Sequence, residues 1–222
     1  MRAIAEQTKE WALDIITTPK GRYAEGMVSA FQTFLVESRH KHKGRRLFPV
    51  NHSRKPESVN FMAAVSTRVL SRLPAETTID CCVLAIGNGT TASGIGRAIR
   101  GHSPGVKVVG VEPLEAPWFY EQKYPGRFRE LYGSTPKFRP HELIGTGGWG
   151  VEFPNVDVSL LDDIQLVEEF AWRGALAELS QRQHFVGHSS AACQCVVARR
   201  AVLSETPQTF FSVFYDPILK YS

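Results

Sequence analysis

A glycine-rich turn directly after a buried apolar run limits most strongly what this chain can fold into. Residues 80–86 are apolar almost throughout, as in a parallel strand buried on both faces. The turn at 87–91 leads into a helix-compatible segment beginning at Ala92. A strand, a glycine turn and a helix in this order present backbone N–H groups to an anion, and the helix dipole adds about half a positive charge. The segment therefore predicts an α/β unit with an anion-binding turn.

Strand-like and helix-like segments alternate along the rest of the chain, which favours an α/β fold with a mostly parallel sheet and flanking helices. Helices are predicted at 27–35, 59–73, 92–100, 163–183 and 189–202. Strands are predicted at 13–18, 47–50, 80–86, 107–111 and 209–215. The stretch 114–140 is rich in aromatic residues, proline and glycine, and we expect it to be irregular.

Composition limits the compartment and the partners. No apolar run reaches the roughly 20 residues of a membrane helix, and the N-terminus has no apolar signal core, so we expect a cytoplasmic protein that binds no membrane. Residues 39–46 include five basic side chains, whose summed charge is larger than the net charge of +4 of the whole chain. No known nucleic-acid-binding motif accompanies them, so we expect no nucleic acid partner. The four cysteines lack metal-ligand spacing, and we expect them to be reduced and buried without metal.

Three turns rich in glycine or serine follow predicted strands or open predicted helices: 87–91, 145–148 and 187–192. Ligands of an open α/β sheet bind at the carboxyl ends of its strands, so the three turns can line one pocket. Serine at 189 or 190 also suits an ordinary helix N-cap, whose hydroxyl would satisfy a backbone N–H group. The spacing alone therefore leaves both a ligand site and a plain helix start open.

The turn at 87–91 has two further interpretations. Gly87, Gly89 and Ala92 fit the dinucleotide fingerprint G-x-G-x-x-G/A, and Glu112 follows at the end of the next predicted strand, where a ribose-binding acid would lie. A tight strand–helix turn without any ligand explains the glycines equally well. These residues alone do not decide between the two.

Several ordered motifs resemble one enzyme family over nearly the whole chain. Residues 86–97, followed by Val108-Val-Gly-Val-Glu-Pro113, resemble the phosphate-loop region of the fold-type II pyridoxal-phosphate enzymes, the relatives of cysteine synthase, cystathionine β-synthase and threonine dehydratase. Residues 141–148 resemble their second glycine loop, and 187–192 their Gly-x-Ser-Ser-Gly-Ala turn. Residues 211–216 resemble the last strand, and 13–19 the end of the smaller domain.

The resemblance implies a set of cofactor-binding residues and a parent chemistry. Pyridoxal 5'-phosphate would be bound by Gly87, Asn88, Gly89, Thr90 through its amide, Thr91, Gly145 and Ser189. Ser189 would contact the pyridine nitrogen, and a neutral hydroxyl there suits β-elimination and β-replacement on a small amino acid. Asn88 and Thr90 stand where the family usually has threonine and glycine.

Two family motifs do not occur in this sequence. These enzymes hold the cofactor as a Schiff base to a lysine in a Ser-x-Lys-Asp-Arg-like segment, and they bind the substrate carboxylate with a Thr-Ser-Gly-Asn-like loop. None of the nine lysines stands in that context. We therefore assign no catalytic residue and expect an N-terminally truncated member that binds the cofactor without a covalent link and is inactive alone.

The resemblance also implies a domain division and partners. Residues 1–46 would be the remnant of the smaller domain, and 47–222 the α/β domain that binds the cofactor phosphate. We expect a homodimer or a lysine-bearing partner chain. A non-catalytic pseudoenzyme or binding module, one half of a split enzyme and a Rossmann-type nucleotide binder stand as alternatives.

Overall fold

The computed structural model describes residues 16–41 and 49–217 of the 222-residue chain. Its helices are α1 (Tyr23–Lys41), α2 (Pro56–Leu70), α3 (Thr90–His102), α4 (Trp118–Lys123), α5 (Arg127–Tyr132), α6 (Glu169–Gln181) and α7 (His188–Leu203). Its strands are β1 (Cys81–Ala85), β2 (Lys107–Pro113), β3 (Asp163–Val167) and β4 (Phe210–Ser212). Short 3-10 turns lie at Lys20–Arg22, His52–Arg54 and Val158–Leu160. No helix in these ranges is both long and apolar enough to cross a membrane.

The four strands of the described ranges form one parallel sheet in the order β3-β2-β1-β4. Cys82 on β1 pairs with Val108 on one side and with Phe211 on the other. All five residues of β1 are buried, as expected for a parallel strand covered on both faces. The predicted α/β fold with a parallel sheet and flanking helices is confirmed.

Helices cover both faces of the sheet because β1 is apolar on both. Cys82 and Leu84 face the layer of α2 and α3, where Ile99 is fully buried. Cys81 and Val83 face the layer of α6 and α7, where Trp172 is buried. All four cysteines are buried and free of disulfide bonds, as the sequence predicts. The carboxyl end of β1 is thereby held rigidly between two packed layers.

Several predicted elements differ from the observed ones. The helix predicted at 163–183 is wrong in its first part, because Asp163–Val167 form the edge strand β3 and α6 begins only at Glu169. Ile164 and Leu166 are buried against the neighbouring strand β2, a long-range contact that helical periodicity does not reveal. The stretch 114–140 contains two short helices, α4 and α5, where no regular structure was expected.

The outer predicted strands are shorter or absent. Ile16–Thr18 and Val50 adopt no strand, while residues 13–15 and 47–48 of the same predicted strands lie outside the described residues. The last strand is limited to Phe210–Ser212 and is only half-buried. Helix α3 begins at Thr90, two residues earlier than predicted, so the glycine turn leads directly into its first turn.

Candidate functional site

The three predicted turns meet at the carboxyl end of β1 and enclose a cavity of about 190 Å³. Six of the seven predicted cofactor residues line it, and Thr90 does not. The cavity is lined by Ala85, Gly87, Asn88, Gly89, Thr91, Ala92, Gly145, Ser189, Tyr215 and Asp216. The expectation that ligand-binding turns converge at the strand ends therefore agrees with the geometry.

Two glycines of the first turn are required by close contact with other loops. A Cβ atom on Gly87 would lie 2.5 Å from the carbonyl oxygen of Gly145, and one on Gly89 would lie 2.5 Å from the carbonyl carbon of Asn155. Gly89 also has φ +87°, a conformation that L side chains rarely adopt. The turn is thus shaped by its neighbours in the same chain before any ligand binds.

The first turn of α3 supplies backbone donors to the cavity. Thr91 and Ala92 line the cavity, and their amides lie in the first helical turn, where no intrahelical acceptor exists. The amide of Ser93 is already bonded to the carbonyl oxygen of Gly89, at 2.9 Å. Two amides together with the helix dipole suit a phosphate group.

Asn88 and Thr90 bond to each other and to neighbouring loops. The Thr90 amide donates to Asn88 Oδ1 at 3.0 Å, and Asn88 Nδ2 donates to Ser53 Oγ at 3.1 Å. Asn155 Nδ2 in turn donates to Thr90 Oγ1 at 3.2 Å. A phosphate contact from the Thr90 amide would therefore have to replace its bond to Asn88, and the predicted role of Thr90 stays a prediction.

Helix α7 places two serines at the opposite wall. Gly187 occupies the N-cap position, so neither serine serves as the predicted cap. Ser189 is 5% exposed and its hydroxyl makes no hydrogen bond within the described ranges, whereas Ser190 Oγ accepts the Tyr215 amide at 2.8 Å. Ser189 is thus the serine that remains available to a ligand in the cavity.

Two cavity residues after β4 were missed by the sequence analysis. Tyr215 accepts the Ala85 amide on its hydroxyl at 3.1 Å, and burial raises the pKa of that phenol well above its usual range. Asp216 follows it in the same wall. The only signal in the sequence was the resemblance of 211–216 to a final strand, which says nothing about the side chains that reach the cavity.

Glu112 lies away from this cavity and caps a helix. Its carboxyl group is fully buried and accepts the amides of Phe119 at 3.1 Å and Tyr120 at 2.7 Å. Burial raises its pKa to about 8, against the opposing effect of these bonds. Its side chain is therefore engaged by α4 and gives no support to the ribose-binding role considered for a dinucleotide site.

A second, larger cavity of about 680 Å³ adjoins the first. Gly87, Asn88 and Gly145 line both cavities. Helix α1 forms one wall of this larger cavity. The Tyr23 hydroxyl on α1 donates to the His141 carbonyl at 2.8 Å and accepts the His141 amide at 2.9 Å, which connects α1 to the second glycine loop. Neither cavity has a lysine among the described residues that line it.

Comparison with known proteins places the chain in a family. The family model described as "Pyridoxal-phosphate dependent enzyme" matches residues 5–210. The chain belongs to this family. It is similar to serine racemase of Mus musculus, with 28% identity over 72% of this chain and 44% of that protein. It is also similar to cysteine synthase of Haemophilus influenzae, with 30% identity over 57% of this chain and 38% of that protein.

Solved structures of this enzyme family share the fold. The O-acetylserine-dependent cystathionine β-synthase of Helicobacter pylori superposes with a TM-score of 0.71 at 21% identity and covers 93% of this chain. The chain in turn spans 60% of that structure and less than half of the mouse serine racemase. The similarity therefore shows the family and the fold.

The residues of the small cavity fit the cofactor of the family. The amides of Thr91 and Ala92 suit its phosphate, and the unpaired Ser189 hydroxyl suits a neutral pyridine nitrogen. A Cβ atom on Gly145 would lie 3.7 Å from Ser189 Oγ, an ordinary contact distance, so these two residues are neighbours in the cavity wall. What the described residues do not supply at either cavity is a lysine.

Proposed function

We propose that this chain binds pyridoxal 5'-phosphate non-covalently in the 190 Å³ cavity and serves a cysteine synthase-like β-replacement or β-elimination on a small amino acid. The convergence of Gly87, Asn88, Gly89, Thr91, Gly145 and Ser189 on one cavity carries the proposal. When bound, the cofactor supplies an electron sink for the bond broken next to the amino group.

Each wall of the cavity has its own task in this proposal. The amides of Thr91 and Ala92 bind the phosphate, because they are donors without intrahelical acceptors at the positive end of α3. Asn88 holds the turn in shape through its bonds to the Thr90 amide and to Ser53. Ser189 orients the ring by a neutral hydrogen bond to the pyridine nitrogen, which leaves that nitrogen unprotonated.

The proton transfers of the reaction need a group that the described residues do not place at the cavity. Lysines serve this role in the family, and none lines either cavity in the described ranges. We therefore propose that the chain is inactive alone and acts with a lysine-bearing partner, as one half of a split enzyme. In this arrangement residues 1–46 belong to the smaller domain, residues 47–222 form the cofactor-binding domain, and the protein is cytoplasmic.

A titration with pyridoxal phosphate tests the cofactor site. We expect saturable binding that inorganic phosphate competes away, and pyridoxal without its phosphate should bind at least about 100-fold more weakly because it lacks charge-assisted bonds to the helix amides. Ser189→Ala should weaken binding, while Ser134→Ala, at an exposed loop serine, should not. Reduction with borohydride should label no single lysine stoichiometrically.

Three results would contradict the proposal. Stoichiometric borohydride labelling of one lysine would show that the chain does hold the cofactor covalently. Failure of phosphate to compete would show that the Gly87–Thr91 turn is not where the phosphate binds. If the purified chain neither binds the cofactor nor gains affinity with a lysine-bearing partner, the binding-module alternative replaces the enzyme.

A further inference from the structure

We propose that the 680 Å³ cavity beside the cofactor site binds a small carboxylate with a large apolar body, such as an aromatic amino acid or its 2-oxo acid. This ligand is distinct from the small amino acid of the proposed function and binds next to it, because the two cavities share the wall of Gly87, Asn88 and Gly145. As a binding site it stands without the cofactor.

The size and lining of the cavity select an apolar ligand. Pockets for small organic molecules commonly measure about 300–1,000 Å³ and are mostly apolar, and this cavity lies within that range. Helix α1 contributes Val28, Phe31 and Leu35 to one wall, and Leu143 and Phe153 stand in the other walls. A small polar amino acid such as serine would leave most of this apolar surface in contact with water.

The charge of the lining selects an anion. Arg54 is the one formally charged side chain among the described residues that line the cavity, and no acidic residue joins it. The Arg54 guanidinium makes no ion pair with any described residue, so its five donors are available. A guanidinium pairs with a carboxylate in a two-bond geometry, which makes a carboxylate the favoured head group.

A buried histidine in the cavity wall contributes no charge. His141 lines the cavity, is 6% exposed, and its Nδ1 has no hydrogen-bond partner in the described part of the chain. Burial lowers the pKa of this histidine, which therefore keeps a neutral ring. The neutral ring adds no second charge to the lining, so Arg54 stays the single charged group among the described residues of the cavity.

Calorimetric titration with 3-phenylpropanoate and with L-serine tests the assignment. We expect 3-phenylpropanoate to bind at least tenfold more tightly than L-serine, with or without pyridoxal phosphate present. Arg54→Gln should weaken 3-phenylpropanoate about tenfold through loss of a charged contact. Arg68→Gln, an exposed arginine on α2, is the matched control and should change nothing.

A second pair of variants tests the position of the ligand. Val28→Trp on α1 projects an indole into the cavity and should abolish binding of 3-phenylpropanoate, whereas Thr33→Trp, exposed on the same helix, should not. Should Val28→Trp fail to fold by circular dichroism, the arginine pair decides alone. Equal affinity for L-serine, the absence of saturable binding, or an unchanged Arg54→Gln titration would each overturn the inference.

The experiment separates this inference from the proposed function. If the chain binds pyridoxal phosphate but not 3-phenylpropanoate, only the assignment of the larger cavity to an apolar carboxylate is wrong. If it binds 3-phenylpropanoate but not pyridoxal phosphate, only the cofactor site is wrong. Sedimentation of the chain as a dimer that Val28→Trp dissociates would show that a second copy covers α1. That result would also overturn the small-molecule assignment.

Discussion

The buried carboxyl group of Glu112 makes the stability of the fold depend on pH in a predictable direction. This group is fully buried and titrates near pH 8 in the folded chain, against an ordinary value of 4.5. A raised pKa means that its stabilising contribution is complete below about pH 4.5 and is lost as the pH rises through about 8. By linkage, the free energy of unfolding should fall by about 3.5 kcal/mol between pH 5 and pH 8 on account of this group.

Replacement by glutamine removes the titration while keeping the shape. In Glu112→Gln the side-chain oxygen can still accept the Tyr120 amide, but the NH₂ group cannot accept the Phe119 amide. Loss of one buried bond costs about 1–3 kcal/mol, so the variant should be less stable than wild type at pH 5. At pH 8 this difference should vanish or reverse, because only wild type must bury or protonate a carboxylate.

Urea unfolding of both proteins at half-unit steps from pH 5 to pH 8 measures the two curves. Glu76→Gln, at an exposed position, controls for general effects of removing a carboxylate. Parallel curves for wild type and Glu112→Gln would refute the reasoning. They would show that the two amide bonds to Glu112 outweigh its burial and keep it ionised throughout.

Two further substitutions test the packing of the site. Gly89→Ala should lower the free energy of unfolding in urea by about 2–4 kcal/mol, because the alanine would have to adopt a left-handed backbone conformation and its Cβ atom would lie 2.5 Å from Asn155. Gly105→Ala, which has open space around it, should change this free energy by less than about 0.5 kcal/mol. Ser190→Ala should cost about 1–3 kcal/mol by leaving the half-buried Tyr215 amide unpaired, with the exposed Ser134→Ala as the control. Equal stabilities of wild type and Ser190→Ala would show that this bond does not support the cavity wall.

The sequence predicted the centre of the fold better than its edges. Residues 81–85 are apolar at every position and leave no alternative to a strand buried on both faces, and the glycine turn after them identified the end of the sheet where the cavity lies. Asp163–Val167 were assigned to a helix because the partner that makes them a strand, β2, lies about 54 residues earlier in the chain.

The same limit applies within the candidate site. The three turns were predicted to meet because each follows a predicted strand or opens a predicted helix of one α/β sheet, whose ligands bind at the strand ends. Tyr215 was missed because its role depends on a hydrogen bond to Ala85, 130 residues away, for which no local pattern exists. Likewise, the bond between Asn88 and Thr90 depends on side-chain orientation, which residue types alone do not specify.

The pairing of the last strand with the first has a consequence for biosynthesis. Strand β4 lies beside β1, and Tyr215 and Asp216, directly after β4, close the cavity that the turn after β1 opens. A nascent chain that has released only α3 already carries the amides proposed to bind the phosphate but has no wall opposite them. Capture of the cofactor must therefore wait until translation has passed residue 216, so cofactor-dependent protection from proteases should appear late in a ribosome-release time course rather than rise gradually as the chain lengthens.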